Sequence, residues 1–127
     1  MLRIVLFASI LGGVLTTAHA ASWESVYASP VGSISVDRSA FSKDGPLVST
    51  ALHIKLQTPD TLGSTLYDER FVTLTINCDT WQYTMTSESF SLHGKRVRDW
   101  QGGPTDDTDI DPDKPLEQAA KALCGKS

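Results

Sequence analysis

Two cysteines, a run of aspartates and a short basic stretch are the residues of this 127-residue chain whose types and spacing suit chemistry. Cys78 lies in "LTINCDTWQYT", residues 74–84, and Cys124 is the fourth residue from the C terminus. Such a pair has three uses: ligating a metal, attacking a substrate, or forming a disulfide. Zinc sites take four ligands at short spacings, and neither C-x-x-C nor H-x-x-x-H occurs. A nucleophilic thiol is poorly protected in an oxidising compartment, whereas two cysteines in an exported chain most simply form one disulfide.

Asp106, Asp107, Asp109, Asp111 and Asp113 dominate "DDTDIDPDK" and offer the hard oxygen ligands that calcium takes. An EF-hand loop begun at Asp107 requires glycine at its sixth position and glutamate at its twelfth, where the chain has Pro112 and Gln118. A solvated acidic loop is therefore expected, its last carboxylates favouring the N terminus of a following helix. Lys95, Arg96 and Arg98 form a basic patch that either meets an acidic polymer or keeps an edge strand from pairing with other sheets. Trp100, beside Gly102 and Gly103, is the aromatic expected to be exposed and contact-making. His53 and His93 have no visible partner, and no G-x-S-x-G, H-E-x-x-H or phosphate-cradling glycine loop occurs. No catalytic residue, no metal and no cofactor is expected, and the protein is expected not to be an enzyme.

The opening "MLRIVLFASILGGVLTTAHA" has one early cation, Arg3, an apolar run from Ile4 to Leu15, and an A-x-A ending at Ala20. That is the pattern of a secretory signal peptide, with an apolar run too short to span a bilayer. Cleavage is expected after Ala20, leaving one domain over residues 21–127. Ala21 is not the cysteine on which a bacterial lipoprotein is anchored, so a soluble periplasmic or secreted product is expected, without a membrane anchor. The full chain has 11 Lys+Arg and 15 Asp+Glu, and losing Arg3 takes the net charge from −4 to −5. That balance speaks against a general binder of nucleic acid or anionic membranes. A domain of about a hundred residues buries a modest core, which a covalent staple supports.

The elements that must hold these residues are mostly strands. "SWESVYAS" and "VGSISVD" read as two short strands around Pro30 and Gly32, and Asp37 as the cap of a helical turn. "PLVSTALHIKLQT" alternates, with Val48, Leu52, Ile54 and Leu56 on one face and Ser49, His53, Lys55 and Gln57 on the other. "PDTLG", residues 59–63, reads as a turn, followed by a strand from about Leu66 to Cys78. A two-residue loop at Asp79-Thr80 pairs Cys78 with Trp81, Ile76 with Tyr83 and Leu74 with Met85. Opposed residues share a face, so this register puts both apolar faces on one side. His93-Gly94 reads as a turn before an edge strand at 95–100. Trp23, Tyr27, Trp81 and Tyr83 read as core or sheet-face residues. In "PLEQAAKALC" the period changes: Leu116, Ala119, Ala120, Leu123 and Cys124 recur at helical spacing, between Pro115 and a terminating Gly125. Packing that helix on the sheet brings Cys124 to Cys78, so the disulfide is expected to pin the tail to the body of the domain.

Taken together, Trp23, "SVDRSAF", "TINCDTWQYTM", "FSLHGKRV" and "DPDKPLEQAAKALC" give the chain a resemblance to the surface-adhesin protein E-like family of exported bacterial domains. The resemblance implies an α+β fold: an antiparallel sheet of about six strands with one C-terminal helix disulfide-bonded across it. It implies a non-catalytic binding domain of the bacterial envelope that takes a protein partner, such as a host extracellular-matrix or serum protein, and that forms homodimers. The alternative is a periplasmic inhibitor of a hydrolase such as lysozyme. The residues expected to meet a partner are Lys95, Arg96, Arg98 and Trp100, since Arg and Trp most often dominate interfaces.

Overall fold

A computed structural model describes residues 21–126; the expected signal peptide, residues 1–20, lies outside the described residues. Strand β1 (Trp23–Ser29) turns through Pro30 and Val31 into β2 (Gly32–Asp37), as the breakers at that point require. Gly32 sits so close to the next strand that a Cβ there would lie 2.5 Å from the Lys55 carbonyl oxygen. Asp37 caps the 3-10 turn Arg38–Ala40, its Oδ1 accepting from the Ser39 amide at 3.0 Å and the Ser39 hydroxyl at 2.6 Å. There follow β3 (Ser42–Asp44), β4 (Leu47–Leu62), β5 (Thr65–Asn77), β6 (Gln82–Leu92), β7 (Lys95–Gln101), β8 (Thr108–Asp109) and helix α1 (Pro115–Cys124). The fold is α+β, with one antiparallel sheet and one C-terminal helix. The main path of the sheet is the six strands β1-β2-β4-β5-β6-β7, and the short β3 and β8 pair with β4 and β6.

Two details differ from the sequence expectation. Residues 59–63 are not a turn: β4 runs on to Leu62, and the reversal falls at Gly63-Ser64. The pairing with β5 jumps from Lys55↔Glu69 to Asp60↔Tyr67, and Pro59 lies inside that irregularity, where its missing N–H costs no ladder bond. Leu56 pairs instead with Gly32 of β2. The loop between β5 and β6 is also longer than two residues. The ladder closes at Asn77↔Gln82, leaving Cys78–Trp81 as the connection, with Trp81 at φ 59°. The Asn77 side chain accepts from the amides of Asp79 and Thr80 and holds that connection. The register survives: Leu74 faces Met85 and Ile76 faces Tyr83, as the coincidence of apolar faces predicts. At the far end His93 and Gly94, both at positive φ, make the turn into β7.

One face of the sheet carries Ile34, Val36, Val48, Leu52, Val72, Leu74 and Ile76, all buried. Helix α1 covers it with Ala119, Ala120 and Leu123, the small alanines letting the helix lie close over β1 and β2. Pro115 opens the helix and Gly125, left-handed at φ 68°, ends it. Cys78 and Cys124 form the disulfide, with Cα atoms 5.7 Å apart. Lys126 closes over this junction, its ammonium 4.5 Å from the Trp81 ring centroid and donating to the Cys78 carbonyl. Among the described residues no helix is long and apolar enough to cross a membrane.

Candidate functional site

The face of the sheet away from the helix holds the residues left free to meet a partner. Pairing sets one row across the six main strands: Ser25, Ser35, His53, Phe71, Ser89 and Asp99. The next row toward the start of β1 contains Asp37, Ala51, Thr73, Ser87 and Gln101. Alternation made these positions polar or small, so the sheet is shallow at Ala51, Thr73, Ser87 and Ser89. Larger side chains stand at its sides. The result is a groove of about 250 Å³ flanked by Trp23 and Phe71, with Arg96, Asp99 and Trp100 at the β7 end.

Three aromatics are left partly in solvent around it: Trp23 at 41%, Phe71 at 36% and Trp100 at 39% exposure. Trp23, His53 and Phe71 form a single cluster. The imidazole stacks flat on the Phe71 ring, centroids 4.4 Å apart and planes 1° off parallel, and the Trp23 indole tilts against both at 5.6 and 6.1 Å. His53 Nε2 lies 2.7 Å from Glu69 Oε2, which fixes the ring orientation. This cluster holds Trp23, near the start of the domain, rigidly against the sheet.

Electrostatics around the groove are mixed. Arg96 and Asp99 approach to 3.9 Å, both well exposed. The Asp37 carboxyl, which lines the opposite end, is held below its ordinary value by the Ser39 hydroxyl above all and by the Ser22 and Ser39 amides. Arg38 reaches back to Glu24 at 2.7 Å and lowers that carboxyl in turn. The groove therefore offers aromatic faces, one guanidinium and two carboxylates. Aromatic faces beside a cation are the makings of a binding surface.

Of the four residues expected to meet a partner, the fold brings Arg96 to the groove; Trp100 borders it at the β7 edge, but it pairs with Glu88, itself opposite the buried Val72, so its side chain stands on the helix side of the sheet. Trp100 turns its indole against Gly102, where a Cβ would come within 3.1 Å of Nε1. Lys95 and Arg98 are exposed on β7 outside the groove, Arg98 opposite Phe90 and so on the helix side of the sheet. His53 and His93, which lack a visible partner in the sequence, both have one: Glu69 for His53 and Asp68, at 3.5 Å, for His93. Phe71 and Trp23 are the groove residues that sequence reasoning missed. The signal for Phe71 was present, since it falls out of phase with Val72, Leu74 and Ile76 and so must face the other way. The aspartates of the acidic loop are spread along exposed chain, with Asp109 Oδ1 accepting from Gln82. Among the described residues, no three His, Cys, Asp or Glu side chains gather as a metal site. No protein-family model matches the chain, and no curated protein matches it either.

Proposed function

We propose that the chain is an exported, non-catalytic binding domain of the bacterial envelope, one that captures a protein partner on the helix-free face of its sheet. The single observation that carries this reading is the groove, where Trp23 and Phe71 remain partly exposed and Arg96 stands at the β7 end. Aromatic and arginine side chains in a shallow concavity are the groups that anchor protein interfaces, because they bury large areas at small entropic cost. The class of partner, a host matrix or serum protein, is taken from the sequence resemblance to the surface-adhesin protein E-like family.

Capture by the purified mature domain from matrix and serum extracts tests the proposal. Phe71→Ala and Arg96→Ala are expected to weaken capture at least about fivefold, on the order of 1 kcal/mol or more per anchor. Arg98→Ala, outside the groove, is expected to leave it nearly unchanged. Thermal stability of all three should stay within about a kcal/mol of the parent, as for most surface substitutions. Equal capture by parent and groove variants removes the groove as the site. Stoichiometric slowing of lysozyme on a cell-wall suspension transfers the reading to a hydrolase inhibitor.

A further inference from the structure

On the helix side of the sheet, a second concavity lies where α1 stops covering the strands. Its volume is about 350 Å³, in the range that holds a small molecule. The floor is Ile54 and Leu56 of β4 with Tyr83 and Met85 of β6, and the roof is Leu116 in the first turn of α1. All five are only partly buried, so the sheet's apolar surface continues past the end of the core that the helix closes. This space is separate from the groove on the opposite face.

Polar groups converge on it in a particular way. Arg70 lines the cavity, gives its Nη2 to Glu88 in an ion pair, and lies over the Phe90 ring at 5.5 Å. Its Nε is buried and donates to no atom of the described residues. Because Glu88 already neutralises Arg70, the guanidinium adds no net positive charge there. The remaining ionised groups are three carboxylates, Asp60, Asp109 and Asp111, against one ammonium, Lys114. All four are solvent-exposed, so they set the charge of the mouth while the apolar floor sets the body of the ligand.

We infer that this cavity binds a small amphiphile with an apolar body and a positively charged end. Complementarity selects the sign: an ammonium at the mouth meets a net negative rim, whereas a fatty carboxylate meets repulsion. The site acts independently of protein capture on the other face.

The test uses the mature domain and the neutral fluorophore N-phenyl-1-naphthylamine, displaced by decylamine or decanoate below their micellar concentrations. Saturable fluorescence enhancement is expected, with decylamine displacing the probe at a concentration at least tenfold lower than decanoate. Asp60→Asn combined with Asp111→Asn is expected to shrink that preference to about threefold or less with the probe's own affinity unchanged. Leu56→Trp, which fills the floor from a half-buried position, is expected to abolish enhancement; Met85→Trp, on a different strand, checks the same point should the first variant fail to fold. Absence of saturable enhancement, a preference for decanoate, or full binding by a folded filled variant overturns the inference.

Discussion

Leu52 and His53 are neighbours in β4, yet they belong to the two different faces of one sheet. Leu52 is wholly buried in the core under the helix, whereas His53 lies on the open face, stacked on Phe71 and fixed by Glu69. The helix side is organised by apolar burial and closed by a covalent bond. The open side is organised by ring stacking and a hydrogen bond at the margin of a groove. Burial stabilises each core side chain by roughly 1.5–3 kcal/mol, while an aromatic contact adds about 0.5–1.5 kcal/mol beyond its area. Stability is therefore concentrated on one face, and the other is left free to vary its contacts.

Removing the staple is the strongest way to break that comparison. Double substitution of Cys78 and Cys124 with alanine is expected to lower stability by about 4 kcal/mol, from the entropy of closing a loop between cysteines 46 residues apart. Chemical denaturation of parent and variant checks it. Reduction should loosen α1 before the sheet, seen as amide exchange rising first over 115–124.

A matched pair of substitutions measures the faces against each other. Leu52→Ala is expected to cost about 3 kcal/mol, within the range for emptying a buried leucine site. His53→Ala, one residue along the chain, is expected to cost about 1 kcal/mol, the scale of a part-exposed stack. Similar losses in denaturation experiments would mean that the open face is as structural as the core. Phe71→Ala sharpens the point from the other side, with a loss of about 1 kcal/mol in stability and a larger proportional loss in partner capture.

The smallest effect lies in the pH dependence. Asp37 is held below the ordinary carboxyl value of 3.8 by the Ser39 hydroxyl first and the Ser22 amide next. The folded state thus prefers the ionised form more strongly than the unfolded chain does. Its contribution is present above the unfolded value of about 3.9 and is lost as pH falls through the lower folded value. Asp37→Asn keeps an acceptor for Ser39 but removes the titration, so its urea midpoint should fall less steeply than the parent's below about pH 4. Parallel profiles would assign acid sensitivity to other carboxylates, Glu24 beside Arg38 among them.

Much of the core was legible in the sequence because its rules are local. Period two in residues 72–76 and 81–85 admits one register in which both apolar faces coincide, and the pairs Leu74↔Met85 and Ile76↔Tyr83 obey it. The change to helical period in "PLEQAAKALC", opened by Pro115 and ended by Gly125, marks α1 with both its ends. With Cys78 at the end of one apolar face and Cys124 on the other, the disulfide follows from packing the two together. Residues 59–63 were misjudged because breakers in a strand read as a turn unless the neighbouring strand is known. Here Leu56 pairs with β2 and Gln57 donates to the Val31 carbonyl, which carries the chain onward.

The groove and the cavity were decided only by the tertiary structure. Trp23, His53, Phe71 and Arg96 come from four strands, and only the lateral order β1-β2-β4-β5-β6-β7 sets their spacing. Arg70 and Lys114 likewise meet across a gap whose size depends on where α1 ends over the sheet. Periodicity reports which side of an element a residue faces. It carries no information on which distant element lies alongside, because that is fixed by the packing of whole faces.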